Sequence, residues 1–336
     1  MSPRPGKNHM RISSRRLGVY AIALVFAIAM NFTVPRLMPG TPVDAMIAQL
    51  GSRATPAAIE AIKARFGAVD APIASQFVDY LKGLATLDLG VSVKYYPQTV
   101  VEVLSRSTLW TAFLVVTAIL FSLLVGVTLG AVAAWRRGGR FDTIVSPLSV
   151  VMISVPPVIV ALTTLFVFGV SLRWFPVGYA YDPSLDPGVN FGFVGSVFFH
   201  AIMPVLTLSP YLIGEFQTTM RSSMISVLGE DYVTMGRAKG LKSSTVMFGY
   251  GARNAMLPVL TNLALMLGAV FGGSIVTEIV FNYPGLGLTL FTASVARDYP
   301  VIQGQLLLMT LATLGANLLV DIIYGLIDPR LREAPE

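Results

Sequence analysis

Apolar and polar positions fall in long alternating blocks along the chain, and six of the apolar blocks approach the 20 or so residues that cross a bilayer as a helix. The first runs from Leu17 to Val34 and stops at Pro35 and the Pro39–Pro42 stretch. Its end is poor in small residues, which argues for an uncleaved span over 17–37 rather than a signal peptide. The second covers 108–134 and contains Gly126-x-x-x-Gly130, a close-packing pattern. The third covers 143–170, where Ser146-Pro147 and Pro156-Pro157 should bend or break it. The fourth covers 199–220, the fifth 258–281 with Gly268-x-x-x-Gly272, and the sixth 305–327. The expected fold class is therefore an all-α integral membrane protein with six transmembrane helices.

The polar blocks complete the plan. Residues 1–16 are a basic tail without acids, and 331–336 a short C-terminal tail. Residues 38–106 form a small helical insertion expected outside the cell, ahead of a five-helix core over 107–330. In the insertion, Thr55 suits an N-cap, Pro56 the first helical position and Gly67 the end of a helix with Ile59, Ile62 and Phe66 on one face. Phe77, Leu81 and Leu84 repeat that spacing in a second helix. Residues 173–198 and 282–303 read as outer loops. The longest polar interruption of the second half lies within 221–257, where Glu230 and Asp231 precede Arg237, Lys239, Lys242 and Arg253. Gly240, in Ala238-Lys239-Gly240-Leu241, sits where a left-handed turn would end one short helix before another begins. Such a helix–turn–helix on the inner membrane surface can be gripped by a soluble partner; it can equally be a solvated basic loop.

Composition supports the membrane assignment. The chain is 54% hydrophobic and 12% charged, about half the charge of a soluble domain. The net charge of +6 is an orientation signal rather than a nucleic-acid footprint: 15 of the 24 Lys and Arg fall on the tail, the 136–140 turn, the 221–253 region and the C-terminal end. This places both termini and the 221–257 loop in the cytoplasm. With no cysteine, disulfides and thiolate metal sites are excluded. No phosphate-binding GxxxxGK[ST], GxSxG elbow or HExxH helix occurs, and His9 and His200 are far apart in the plan, so no catalytic, cofactor or metal residues are assigned. Ionisable groups inside the spans are few: Glu215, Asp321 and Glu278. Asn317, Asp321 and Tyr324 share one helical face and read first as interhelical hydrogen-bonding glue, second as part of a pathway. A stand-alone ion-coupled carrier, the rival class, usually places more paired charge inside the membrane.

DYVTMGRAKGL (231–241) followed by RNAMLP (253–258) resembles the cytoplasmic loop of permease subunits of binding-protein-dependent ABC importers, with 18 positions from Gly240 to Pro258. It is most similar to the dipeptide/oligopeptide/nickel family, in its first, B-type permease. Thr234, Met235 and Gly236 stand where Arg, Thr and Ala are usual, and Tyr250 where His is common. Leu89-Gly90-Val91-Ser92, EIVFNYPGLG (278–287), RDYP (297–300), NLLVDIIY (317–324) and DPR (328–330) keep the family's order. The resemblance implies a type I ABC importer permease fold in a prokaryotic inner membrane, moving peptides or a related small solute by alternating access. It implies no catalysis by this chain, with ATP and Mg held by two partner ATP-binding subunits. The other implied partners are a second related permease and an extracytoplasmic solute-binding protein. The coupling residues it implies are Glu230, Asp231, Tyr232, Arg237, Ala238, Lys239, Gly240 and Leu241.

Overall fold

The computed structural model describes residues 14–37, 43–44, 47, 51, 55–57, 59–61, 72–268 and 274–327. Among them the elements are helical, apart from an isolated antiparallel bridge between Val91 and Thr99. The chain divides into two compact units, Met1–Ser105 with Thr292–Glu336, and Arg106–Phe291. The divisions fall inside helices α3 (Val100–Trp135) and α10 (Leu286–Val295).

In the first unit α1 (Ser14–Arg36) packs on α11 (Tyr299–Ile327). The second helix of the insertion, α2 (Ile73–Thr86), meets α1 through Phe32, whose ring centroid lies 5.0 Å from that of Phe77 and 5.6 Å from that of Tyr80. The inward face is thus Phe77, Tyr80 and Leu84; Leu81, expected there, is 40% exposed. The preceding helix opens at Pro56, with the Ile59 amide donating to the Thr55 carbonyl. Ile62, Phe66 and Gly67 lie outside the described residues. Asp298 caps α11 by accepting from the Val301 amide at 3.3 Å, and its other oxygen accepts from the Ser92 hydroxyl and the Lys94 amide. One buried carboxylate therefore joins the Leu89–Ser92 motif to the Arg297–Pro300 motif, which are about 200 residues apart in sequence but adjacent here.

The second unit is built around α6 (Phe191–Leu228), capped at its start by Asn190, whose side chain accepts from the Phe193 amide at 2.8 Å. Along α3, Gly126 and Gly130 allow the two backbones to touch. A Cβ on Gly126 would stand 2.7 Å from the Phe216 Cβ, and one on Gly130 2.6 Å from the Gln217 carbonyl oxygen. On another side Gly214 of α6 does the same for α4 (Arg140–Ser154), where a Cβ would reach the Ser149 carbonyl at 2.7 Å. Helix α8 (Arg253–Gly268) adds Ala255 and Val259 to a core with Ile119, Phe216, Met220 and Met224.

The third expected span is two helices. α4 and α5 (Pro157–Thr164, continued as a π-helix through Ser171) meet at 97°. Pro147 stays inside α4, so only Pro156-Pro157 breaks the chain. Pro156 forces Val155 into extended backbone (ψ 124°), and Pro157 then takes a first helical position, where no amide is needed.

Several boundaries move. α3 starts at Val100, inside the segment assigned to the 38–106 insertion, because Thr99 and Glu102 form a reciprocal capping box: the Thr99 amide donates to the Glu102 carboxylate at 2.9 Å and the Glu102 amide to the Thr99 hydroxyl at 3.2 Å. The fifth span begins well before Pro258, since a π-helix over Thr245–Ala252 runs directly into α8. It falls on α8 and on α9 (Ile275–Val280), with 269–273, and so Gly272, outside the described residues. The outer loop 282–303 contains α10 and the first turn of α11. Among the described residues three helices are long and apolar enough to span a membrane, and a fourth if the bent pair counts as one.

Gly130→Val should lower the stability of the detergent-solubilised protein by about 1–3 kcal/mol, the usual range for overpacking. Gly195→Ala, on α6 with no atom within 4 Å of its new Cβ, should leave the thermal midpoint unchanged or higher.

Candidate functional site

The polar region after α6 is mostly helical. The Glu230 carbonyl accepts from the Val233 amide at 3.1 Å and opens α7 (Asp231–Ala238). Val233 and Gly236 form its buried side, whereas Tyr232, Met235, Ala238 and Lys239 are exposed. The helix ends in a Schellman turn: the Leu241 amide donates to the Gly236 carbonyl and the Gly240 amide to that of Arg237, at 3.4 and 3.0 Å. Gly240 has φ +72°, the left-handed turn expected from the sequence. Beyond this turn there is no second isolated helix; the chain enters the continuous helix that leads into α8.

Gly236 has no Cβ, and the nearest atoms to one would be those of the Tyr250 ring, at 3.7 Å. The ring of Tyr250 stacks on Tyr232 with centroids 6.4 Å apart, and Asn254 donates to the Tyr232 hydroxyl and the Tyr250 carbonyl, both at 3.0 Å. A Cβ on Gly236 would meet this ring at ordinary van der Waals distance, so the ring packs on α7 without itself requiring glycine there. The Arg237 guanidinium lies 5.5 Å from the ring centroid of Trp135, the last residue of α3. Though exposed, it thereby ties α7 to the end of α3.

Close by, Arg221 of α6 grips Asp142 of α4 with two parallel bonds, Nε to Oδ1 at 2.6 Å and a second guanidinium nitrogen to Oδ2 at 2.8 Å. The Ser146 hydroxyl and the Gly138 amide also donate to this carboxylate, at 2.8 and 3.1 Å. Asp142 is 7% exposed and Arg221 28%. The α3–α4 turn, with Gly138 at φ +75°, is thereby locked to the C-terminal end of α6, about two turns before it closes at Leu228.

Residues 126–333 match the family model described as "binding-protein-dependent transport system inner membrane component". The chain belongs to this family. It is 34% identical, over 95% of its own length and 98% of the relative's, to the di/tripeptide transport system permease protein DppB of Pseudomonas aeruginosa. It is 32% identical, with the same coverage of each, to the dipeptide transport system permease protein DppB of Alkalihalophilus pseudofirmus. Family membership makes the chain an ABC permease subunit of the inner membrane and sets aside the stand-alone ion-coupled carrier.

The structure gathers the permease's loop residues Glu230, Asp231, Tyr232, Arg237, Ala238, Lys239, Gly240 and Leu241 into one exposed ridge, with Leu241 37% and Tyr232 40% exposed. Asn317, Asp321 and Tyr324 all lie in α11; Asn317 is exposed, and the side chains of the other two lie outside the described residues, as do 328–330. Glu278, counted from sequence among the ionisable groups of the spans, is fully buried and fully used. It accepts from the hydroxyls of Ser274 and Thr111 and the amides of Gly287 and Leu288, at 2.6, 2.8, 2.6 and 3.4 Å. It caps α10, and neither Gly285 nor Gly287 has room for a Cβ against it. Sequence reasoning missed Asp142 and Arg221, since their 79-residue separation gives no local signal.

Asp142→Ala should cost about 1–3 kcal/mol, because it strands a half-buried guanidinium beside an unfilled amide and hydroxyl. Denaturation midpoints of Asp142→Ala, Arg221→Ala and the double variant should show coupling rather than additivity. Additive losses would mean that the pair contributes only as two separate packing residues.

Proposed function

We propose that this permease is one of two related subunits that together enclose the pathway of an ABC importer for peptides. It would have six spans in the type I arrangement, with both termini in the cytoplasm. Two ATP-binding subunits, holding ATP and Mg, drive it, and an extracytoplasmic binding protein delivers the solute. The peptide class rests on the names of full-length relatives. The observation that carries the coupling role is the exposed ridge of α7 and its glycine turn, standing on buried Val233 and Gly236. Tyr232, Met235 and Leu241 present apolar surface there beside Lys239, and Phe248 is 63% exposed two turns on. An apolar, positively edged ridge on a rigid base suits a cleft on a soluble partner.

Ala238 is exposed, so a Trp there is tolerated by the chain itself and obstructs only what docks on it. Ala238→Trp should leave the permease inserted and folded but reduce co-purification of the ATP-binding subunits, with transport and solute-stimulated ATP hydrolysis falling together. Gly240→Ala should act through the backbone alone, because no atom lies within 4 Å of the new Cβ; a left-handed residue costs it about 1 kcal/mol. Full ATPase binding by the Trp variant would rule this ridge out as the docking element.

Orientation is open to a direct test in a chain without cysteine. Lys82→Cys should react with an impermeant thiol reagent added to intact cells with a permeabilised outer envelope, and Lys239→Cys only after the inner membrane is opened. The opposite pattern would invert the topology.

A further inference from the structure

Three carboxylates enclosed by helices in this chain are each saturated with donors: Asp142 by Arg221, Ser146 and Gly138, Glu278 by two hydroxyls and two amides, Asp298 by Ser92, Lys94 and Val301. Glu215 is the exception. It lies on α6, six residues before Arg221, about 9 Å of helix rise inward from the clamp. Among the described residues it has neither an ion-pair nor a hydrogen-bond partner, and the nearby Arg221 is already spent on Asp142. It lines a cavity of about 390 Å³ whose wall comes from α3, the α4–α5 bend, α6 and α8. Glu215 alone among the lining residues is charged at neutral pH. Tyr211, one turn earlier on α6, and Asn262 of α8 add oxygen acceptors to the same wall; Thr207 and Ser274 are its other polar residues, and Val115, Ile119 and Pro157 are among its apolar ones. Gly214, jammed against Ser149 and Ile153, fixes the rotation of α6 at this level.

A carboxylate left unpaired among spans is costly, and none of the described residues supplies its partner. We infer that Glu215 receives the α-ammonium group of a peptide in transit, with Tyr211 and Asn262 as auxiliary acceptors. An ammonium group has three donors and no acceptor, which matches one carboxylate, one phenol oxygen and one amide oxygen. A divalent metal would need more charged ligands than this wall offers; among the described residues no cluster of metal-binding side chains occurs. The assignment rests on the peptide reading of the substrate.

The test uses the complete transporter, both permeases with the ATP-binding subunits and binding protein, in liposomes. The probe is a mixture of free di- to penta-alanine, with uptake quantified by mass spectrometry alongside ATP hydrolysis. Glu215→Asp should retain uptake. Glu215→Gln should lose about tenfold, the loss expected for one hydrogen bond to a charged group, in peptide moved per ATP hydrolysed. Its subunit stoichiometry and its ATPase stimulation by loaded binding protein should be unchanged. Wild-type uptake by the Gln variant overturns the assignment. So does equal loss in both variants, which marks a packing role, or separation of the two permeases by Glu215→Gln, which marks a cation supplied by the partner subunit. A wild-type transporter that takes up none of the probes overturns the peptide reading itself, and this assignment with it.

Discussion

The close approach of α6 to α3 and α4, made at Gly126, Gly130 and Gly214, is the constraint on which the rest of the second unit depends. Lipid tails are as apolar as leucine, so helices within a bilayer gain little by hiding hydrophobic side chains from solvent. They gain from dispersion at short range, and that requires small residues where the axes meet. Here α6 sits against α3 through two glycines on α3, and against α4 through one of its own. With both faces fixed between Ile213 and Arg221, the rotation of α6 is set over that stretch of its 38 residues. Its rotation presents Arg221 to Asp142, Glu215 to the cavity and Leu228 to the start of the loop.

Buried carboxylates act as the joints between segments that the helices do not themselves connect. Asp298 binds the Leu89–Ser92 turn to the start of α11, Glu278 holds the start of α10 to α3 and α9, and Asp142 holds the α3–α4 turn to α6. In each case the charge is met by several donors, most of them backbone amides or hydroxyls, so the desolvation cost of burying it is offset locally. The glycines of the Glu278–Gly287 motif have the same origin: a carboxylate can cap α10 only if no side chain stands in front of it.

The features legible in the sequence were local or periodic. The glycine pair on α3 and the left-handed Gly240 are set by spacing and residue type, and both have the expected geometry. The early start of α3 was also written locally, as Thr99-x-x-Glu102, but in a stretch too polar to be joined to an apolar run by hydropathy. α10 was hidden for a different reason: its start is stabilised by a carboxylate of another element, so its own residues carry no capping signal. Two prolines looked equivalent as breakers, yet Pro147 stays within α4 while Pro156 is followed by a second proline, and Val155 before it is held out of helical backbone. Leu81 and Tyr80 exchanged roles because the inward face of α2 was decided by the ring of Phe32, about four dozen residues earlier. The Asp142–Arg221 joint had no signal at all short of the folded chain.

The mechanical consequence concerns where this permease can bend. α7 is bracketed by α6 before it and by the helix leading into α8 after it, and those two helices share one core through Phe216, Met220, Ala255 and Val259. Arg237 on Trp135 and Arg221 on Asp142 add ties from the same end to α3 and α4. A displacement applied to α7 by a docked subunit therefore meets several helices joined at one end, not a loose loop. Close-packed helices resist graded deformation and respond by moving as bodies about a discontinuity. The break at Val155–Pro156 is such a discontinuity: the backbone hydrogen-bond ladder stops there and the chain turns by 97°. It also lies on the wall of the cavity that holds Glu215. On the proposed docking reading, motion received at α7 would thus change the angle between α4 and α5, and with it the shape of the cavity at the level where an unpaired carboxylate waits for a cation.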